Sequence, residues 1–279
     1  MGEGGVRVRE EEVSLIFTLL TLFVSESPRW LALKKGDTEG ARSVLKEIDP
    51  STADATLASI LAAKDRADAS PIKAFFSSHY RLPILLAFLI AFFNQLSGIN
   101  AIIYYAPRIF EMTGLSKSTA LLSTAGIGLV NLVFTMLGLS LIDRFGRRIL
   151  MYIGSVGYII SLALVALAFY RNSFTGMTIF IFAFIAAHAV GQGAVIWVFI
   201  GEIFPNEVRA AGQSFGCFTH WIFAAIITNV FPSLARQFGG APIFAFFTAM
   251  MVLQLLFVMF LMPETKGIAL EDMEERLAH

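Results

Sequence analysis

Uncharged amide and aromatic side chains lie inside long apolar stretches of this 279-residue chain. Gln95, Asn100 and Asn131 each offer a hydrogen-bond donor and an acceptor on one side chain, and Trp197 offers a flat apolar surface with a polar edge. Full charges would be costly in the middle of a membrane and are unnecessary for a neutral ligand. This mixture indicates recognition of an uncharged polar ligand, with hydrogen bonding between helices as the alternative.

Residues that could carry enzyme chemistry are not arranged for it. The sequence has no Ser/His/Asp spacing, no phosphate loop and no metal-ligand cluster, so we predict no catalytic residues, no metal site and no cofactor. Cys217 is the single cysteine, and we interpret it as a small core residue because it lies in an apolar run. The formal net charge of zero gives no indication of a nucleic-acid partner.

The elements that position the polar side chains are long and apolar. Hydrophobic residues make up 56% of the chain and charged residues 15%, which favours a membrane protein. A helix crosses a bilayer core with about 20 apolar residues. Six stretches without Asp, Glu, Lys or Arg are long enough: Leu82–Pro107, Ser118–Ile142, Ile149–Tyr170, Asn172–Gly201, Ala210–Ala235 and Gln237–Pro263. We therefore predict an all-α membrane protein with six transmembrane helices, because helices satisfy their own backbone hydrogen bonds in lipid.

The distribution of Lys and Arg between these stretches predicts their orientation. Fifteen of the 21 Lys and Arg lie in residues 25–81, in Asp143–Arg148, at Arg209 and in the C-terminal tail, whereas the alternate connections carry four. The first group is therefore predicted to be cytoplasmic, in a multi-pass protein of the cell membrane. Asp143–Arg148 is predicted to be a six-residue loop between spans two and three.

Outside the bundle of residues 82–263, we divide the chain into three parts. Residues 1–24 contain the apolar run Val13–Val24, which is too short to cross a bilayer. We interpret this part as the remnant of a preceding span, with an interfacial helix as the alternative. Residues 25–81 are predicted to be a cytoplasmic helical segment, and residues 264–279 a cytoplasmic tail.

Two amphipathic helices are predicted within residues 25–81. Asp37 can cap a helix that runs to about Ile48, and Pro50 interrupts it. Ser51 and Asp54 are predicted to form a capping-box-like start of a second helix that runs to about Arg66. A solvated linker is the alternative interpretation.

Five short motifs occur in a fixed order relative to these elements. They are Ser27-Pro28-Arg29-Trp30-Leu31; Asn94-Gln95-Leu96-Ser97-Gly98-Ile99-Asn100 with Tyr104-Tyr105; Asp143-Arg144-Phe145-Gly146-Arg147-Arg148; Gly201-Glu202-Ile203-Phe204-Pro205 with Arg209; and Pro263-Glu264-Thr265-Lys266-Gly267. Together they resemble the sugar porters of the major facilitator superfamily. The resemblance extends over about residues 25–270 and matches the C-terminal six-helix half of that family.

The resemblance implies transport of a monosaccharide, for which we predict a hexose, by alternating access. It implies that the following residues line a sugar cavity: Asn94, Gln95, Asn100, Tyr104, Asn131, Trp197, His220 and Trp221. Helix packing and interhelical hydrogen bonding are the alternatives for these residues. Gln95 and Asn100 lie about 140° apart on an ideal helix, so they can share one ligand only if the helix bends, for instance at Gly98, or if the ligand is wide.

Three of the polar residues depart from the family pattern. Gln is the common residue where Asn94 stands, and an amide is the common residue where His220 stands. Gln192, between two glycines, occupies a place where the family has Pro with Gly, and it could add a hydrogen bond. We interpret the nearby His188 as a polar packing residue.

Charged residues at the predicted span ends suit gating. The resemblance implies an ion-pair network that holds the cytoplasmic side shut, formed by Asp143, Arg144, Arg147, Glu202 and Arg209. Making and breaking such pairs can bias two states that differ by a few kcal/mol. The alternative is a solvated positive loop that adds little stability.

Alternating access needs two bundles that rock against each other, and six helices supply one wall. Three interpretations stay open: a fragment of a twelve-span transporter; a half-transporter that pairs with a separate N-terminal half or with itself; and a non-transporting membrane scaffold or sugar sensor. The predicted partners are a small sugar, the lipid bilayer and, as in proton-linked members of the family, protons. The sequence leaves the identity of the sugar and the coupling open.

Overall fold

The computed structural model describes residues 18–62, 74–112, 116–268 and 270–277, together with Leu15 and Gly114. All regular structure in these residues is helical. The chain divides into two compact units, Met1–Ser70 and Pro71–His279, which are described separately. Parts of the predicted remnant Val13–Val24 and the predicted end of the second amphipathic helix at Arg66 lie outside the described residues.

The smaller unit is a set of short helices around a small apolar core. Their bounds are Pro28–Trp30, the π-helical Leu31–Lys35, Thr38–Ile48 and Ala53–Ala62. The predicted cap is confirmed, because the Asp37 carboxylate accepts a hydrogen bond from the Gly40 amide at 2.8 Å. The core consists of Leu31, Ala32, Ala41, Leu45, Ala53 and Leu57.

The turn between the two longer helices of this unit is held by Asp49. Its carboxylate accepts hydrogen bonds from the hydroxyl and the amide of Ser51 and from the hydroxyl of Thr52. These bonds lower the pKa of the Asp49 carboxyl below its usual value. The ionised carboxylate is therefore the form that stabilises the turn, and this stabilisation is lost as the pH falls through the lowered pKa.

The larger unit contains six helices that are long and apolar enough to cross a membrane, among the residues described. Spans 1 to 6 are Ser78–Glu111, Ser118–Phe145, Arg147–Tyr170, Met177–Glu202, Arg209–Phe238 and Gly240–Phe260. Each overlaps one predicted charge-free stretch, so the six predicted spans are confirmed. A short helix, Leu270–Leu277, follows span 6.

Two of these spans are broken rather than continuous. Span 1 consists of the 3-10 turn Ser78–Tyr80 and the helices Arg81–Leu96 and Ile99–Met112. Span 4 consists of Met177–His188, the π-helical Ala189–Gly193 and Ala194–Glu202. Breaks of this kind free backbone groups and redirect side chains at functional sites.

The break in span 1 falls at Ser97-Gly98. Gly98 has φ = 80°, which L side chains rarely adopt, and a Cβ there would lie 2.5 Å from the Phe247 ring. The Ser97 hydroxyl donates to the Asn94 carbonyl at 2.6 Å and accepts from the Ile99 amide. The bend proposed at Gly98 is therefore confirmed.

The predicted six-residue loop Asp143–Arg148 is wrong. Span 2 continues through Phe145, span 3 begins at Arg147, and only Gly146 separates them. Gly146 has φ = 89° and ψ = 167°, a conformation that is essentially restricted to glycine. A single residue can therefore reverse the chain, where charge counting alone suggested a loop.

The packing of the spans sets which side chains are enclosed. Span 3 packs against spans 4 and 6, and span 1 packs against span 5. A Cβ on Gly154 would lie 2.8 Å from the Gly191 Cα, so spans 3 and 4 touch through their backbones. Spans 1 and 4 are the most buried, and spans 2 and 5 the least.

Candidate functional site

Three amide side chains meet at the break in span 1. Gln95 Nε2 donates to Asn94 Oδ1 at 2.9 Å, and Asn100 Nδ2 donates to Gln95 Oε1 at 2.8 Å. Gln95 is fully buried and Asn100 is half-buried. The break therefore brings together two amides that a continuous helix would hold apart.

A cluster of aromatic rings lies beside these amides. Gln95 Nε2 lies 3.2 Å from the ring nitrogens of His220 on span 5. The His220 ring centroid is 5.0 Å from that of Trp197 and 5.2 Å from that of Trp221. Trp197 is 41% exposed and Trp221 is 61% exposed. Two indole rings, an imidazole and the half-buried amide of Asn100 thus share one open side of the bundle.

Asn94 lies deeper than its neighbours on span 1. It is 2% exposed, and its Nδ2 donates to Gln192 Oε1 at 3.3 Å. Gln192 Nε2 donates in turn to Gln254 Oε1 at 2.8 Å, and Gln254 Nε2 donates to Ser155 Oγ at 2.8 Å. The hydrogen bond suggested for Gln192 is confirmed, and the arrangement of Asn94 agrees with interhelical hydrogen bonding.

Gln254 and Ser155 were not identified from the sequence. Gln254 is the one amide among the apolar residues of span 6, Gly240–Phe260. A single amide in an apolar span is the feature from which a buried hydrogen bond could have been predicted. Ser155 gave no comparable signal, because serine is common in transmembrane helices and can bond to its own backbone.

Two predicted cavity residues make no described contact with this group. Tyr104 is on the second helix of span 1 and is 57% exposed. Asn131 is half-buried on span 2. No hydrogen bond or ring contact described for the chain joins either residue to Gln95, His220 or the two tryptophans.

His188 occupies a separate place inside the bundle. Its Nδ1 is hydrogen-bonded to the hydroxyl of Tyr158, which is fully buried on span 3. The two residues join spans 3 and 4 immediately before the π-helical segment. This arrangement agrees with the interpretation of His188 as a polar packing residue.

Two grooves on this unit are lined by none of the amides, His220 or the tryptophans described above. One, of about 280 Å³, lies between spans 5 and 6 and is lined by apolar side chains that include Ile226, Val230 and Phe246. The other lies between spans 3 and 6 and includes Ala163, Tyr170 and Pro242. The first groove has no hydrogen-bonding side chain, whereas the second includes the hydroxyl-bearing residues Tyr170 and Thr248 but no amide.

Arg147 is the centre of a charged cluster at the turn between spans 2 and 3. Its Nε and Nη2 donate to the two Glu202 carboxylate oxygens at 3.0 and 2.7 Å. Its Nη1 donates to Asp143 Oδ1 at 3.0 Å and to the Ile142 carbonyl. A two-point guanidinium–carboxylate contact is among the strongest polar interactions in proteins. Arg147 therefore ties span 3 to the end of span 4.

Glu264 completes this cluster, and its role was not predicted. Its carboxylate accepts hydrogen bonds from the Arg147 and Arg148 amides at 2.9 and 3.0 Å, at the first turn of span 3. Acidic groups are favourable there because the helix dipole is positive at that end. The Thr265 hydroxyl donates to Glu202 Oε2 at 2.6 Å. The segment after span 6 is therefore fastened to spans 3 and 4.

The other two residues assigned to the ion-pair network make different contacts. Lys266 Nζ donates to the carbonyl of Arg144 at 2.7 Å, and Arg144 is exposed. Arg209 Nε donates to the Phe204 carbonyl at 3.2 Å, across the turn between spans 4 and 5. The ion pairs described at this end of the bundle join Arg147 to Asp143 and Glu202.

These features define a multi-pass membrane bundle of the transporter class. They are the six apolar spans, the row of amides at a helix break and the charged cluster at the span ends. The sequence profile of the family described as "Sugar (and other) transporter" matches residues 13–277. The chain belongs to this family of the major facilitator superfamily, whose members are transporters rather than enzymes.

The curated relatives and solved structures agree with this assignment. The arabinose-proton symporter of Bacillus subtilis is 36% identical over 265 residues, or 94% of this chain and 57% of the relative. The D-xylose-proton symporter of Escherichia coli K12 is 32% identical over 272 residues, or 94% of this chain and 54% of the relative. This chain thus spans little more than half the length of these relatives.

Two solved states of the xylose transporter XylE fit this chain differently. XylE bound to 6-bromo-6-deoxy-D-glucose superposes with a TM-score of 0.82 at 31% identity, over 96% of this chain and 57% of that one. Its inward-open conformation gives 0.70 at 30% identity, over 95% and 55%. Over nearly the whole chain, the superposition is therefore better with the sugar-bound structure than with the inward-open one.

Proposed function

We propose that this chain forms one wall of a carrier that moves a monosaccharide across the cell membrane by alternating access. The observation that carries the proposal is the open side formed by Asn100, His220 and Trp197, with the buried Gln95 hydrogen-bonded to both Asn100 and His220. Amides and an imidazole replace the water around sugar hydroxyls, and an indole covers the apolar face of the sugar ring. Binding near the middle of the bundle between two halves fits this class of transporter.

A hexose is our choice of sugar. The named relatives include a glucose facilitated diffusion protein of Zymomonas mobilis as well as pentose symporters. Trp197 and Trp221, which both contact His220, offer aromatic surface for a pyranose ring, a form that hexoses and pentoses share, so the choice of a hexose rests on the glucose carrier among the relatives. Because two of the named relatives are proton symporters, a proton is the second substrate that we propose.

The Arg147 cluster is proposed to be the cytoplasmic gate. The excess of Lys and Arg at this end supports a cytoplasmic location for it, for residues 25–81 and for the C-terminus. Arg147, Glu202 and Glu264 connect spans 3 and 4 with the segment after span 6. These elements can separate only if three contacts break: that of Arg147 with Glu202, that of Glu264 with the first amides of span 3, and that of Thr265 with Glu202. The cluster therefore favours one of two discrete states.

Calorimetric titration of the chain in lipid nanodiscs tests the proposed binding. D-glucose, D-xylose and L-arabinose are the candidate ligands, and L-glucose is the stereochemical control. We expect saturable binding of D-glucose that is tighter than that of the pentoses, and no saturable binding of L-glucose. Heats that stay at the level of dilution for all four sugars would contradict the proposal.

Transport is a separate proposal from binding, because the chain spans about half the length of its relatives. We propose that it works with a second six-helix bundle, either an N-terminal half or another copy of this chain, covering the open side. Uptake of radiolabelled D-glucose into vesicles distinguishes the possibilities. Uptake by the chain alone would support a self-sufficient carrier, whereas binding without uptake would support a partner-dependent half or a sugar sensor.

A further inference from the structure

Six polar side chains from spans 1, 3, 4 and 6 form one continuous row of hydrogen bonds. This row, the amide chain, consists of Asn100, Gln95, Asn94, Gln192, Gln254 and Ser155. At each step an amide nitrogen donates to the oxygen of the next residue, at 2.8–3.3 Å. All members except the half-buried Asn100 are 2% exposed or less.

The five hydrogen bonds all have the same direction. An amide carries its acceptor on one side and its donors on the other. If one amide turned by itself, nitrogen would face nitrogen and oxygen would face oxygen at its two contacts. In a buried row this loses hydrogen bonds that water cannot replace. The orientation of each amide is therefore tied to that of its neighbours.

Gln95 is the member of the amide chain whose orientation would affect a bound ligand. One hydrogen of its Nε2 is directed at Asn94 Oδ1, and the other serves the contact with His220. Its Oε1 accepts from Asn100 and retains a second lone pair. Gln95 is therefore left with an acceptor and no donor. Because its side chain is fully buried, a molecule bound beside Asn100 and His220 reaches this acceptor when one of these two side chains moves aside.

We propose that Gln192, Gln254 and Ser155 are positioning residues that hold Gln95 as a hydrogen-bond acceptor in the sugar site. The site would consequently select a sugar hydroxyl that donates to Gln95 Oε1. This inference rests on the proposed function, because it assigns the recognition chemistry of the same site. Gln192 also belongs to the π-helical segment of span 4, so the amide chain connects this segment to the sugar site.

Monofluoro sugars test the proposal, because fluorine takes the place of a hydroxyl at similar size and cannot donate a hydrogen bond. The probes are D-glucose and its 2-, 3-, 4- and 6-deoxyfluoro analogues, titrated by calorimetry into the chain in nanodiscs. If D-xylose is the tighter ligand, its own deoxyfluoro analogues replace them. With the unmodified chain, we expect at least one analogue to bind roughly tenfold more weakly than the parent sugar, because the Gln95 acceptor is left unsatisfied.

Breaking the amide chain should reduce this discrimination. Gln192→Met removes both hydrogen bonds of Gln192 at similar volume, so that Asn94 and Gln95 can turn together and present an N–H to the ligand. We expect the difference between the parent sugar and the sensitive analogue to fall to about threefold or less. A change that affected only stability would weaken all the sugars alike and leave this ratio unchanged.

Two serines of span 3 provide a matched pair of variants. Ser155→Ala removes the end of the amide chain, whereas Ser161→Ala removes a buried hydroxyl that bonds to the Gly157 and Tyr158 carbonyls of its own helix. Ser155→Ala should lower the fluorine discrimination and Ser161→Ala should not. If Gln192→Met fails to fold, this pair decides the question.

The outcomes separate the two proposals. Sugar binding with a fluorine discrimination that is the same in the unmodified chain, Gln192→Met and Ser155→Ala overturns the positioning role and leaves the proposed function standing. Binding of every analogue as tightly as the parent sugar overturns it as well. Absence of any sugar binding by the unmodified chain contradicts the proposed function, and this inference with it.

Discussion

Replacing Arg147 with alanine is expected to lower the free energy of unfolding by about 2–3 kcal/mol. Arg147 is 8% exposed and holds both Glu202 oxygens and Asp143. Its removal leaves the Glu202 carboxylate, whose side chain is 28% exposed, without its two-point partner. We place the loss below that of a fully buried pair because Glu202 keeps some contact with solvent and still accepts from Thr265. Unfolding of the detergent-solubilised chain, followed by circular dichroism, measures it.

Arg144 provides the matched control for this prediction. It has the same side chain in the same turn, but it is exposed, and its described contact uses the backbone carbonyl. Arg144→Ala should therefore change the free energy of unfolding by no more than about 0.5 kcal/mol. Arg147→Lys should fall between the two variants, because an ammonium keeps the charge and loses the two-point geometry. Equal losses for Arg147→Ala and Arg144→Ala would show that the cluster adds no stability beyond a solvated loop.

Replacing Gln95 with alanine is expected to raise the dissociation constant for the sugar by about tenfold to a hundredfold. The change removes the acceptor proposed for the ligand and also releases Asn100 and His220, which Gln95 holds in place. The loss of the acceptor and the release of Asn100 and His220 therefore both weaken sugar binding at the proposed site. Calorimetric titration with D-glucose measures the constant, and circular dichroism checks that helix content is retained.

Gln237 serves as the control for the same chemical change. It lies exposed near the end of span 5 and belongs to the same residue type. Gln237→Ala should leave the sugar affinity within about twofold of the unmodified chain, since surface substitutions have small effects. An unchanged affinity in Gln95→Ala, with normal helix content, would remove Gln95 from the site.

The sequence was sufficient to predict the six spans, and it offered the bend in span 1 as one of two possibilities. Uninterrupted lengths without charge identify membrane helices because the bilayer core has a fixed thickness. A bend at Gly98 was one of the two ways in which Gln95 and Asn100 could share a ligand, and a wide ligand was the other. The Asp37 cap was equally clear, because capping is a local interaction.

The tertiary hydrogen bonds could not be predicted in the same way. Glu264 lies 117 residues from Arg147 in the chain, and no local pattern showed that its carboxylate would cap span 3. Gln254 and Ser155 meet only because spans 3 and 6 pack together. The length of the turn at Gly146 was also misjudged, because its conformation depends on a glycine that a charge count does not consider.

The most direct test of the account is a sugar titration that reports from Trp197 alone. The chain has three tryptophans, so Trp30→Phe and Trp221→Phe leave Trp197 as the only indole. We predict a saturable change in its fluorescence with D-glucose, at the midpoint that calorimetry gives for the same variant, and no change with L-glucose. Calorimetric binding of D-glucose to this variant without any response from Trp197 would place the sugar elsewhere and contradict the account.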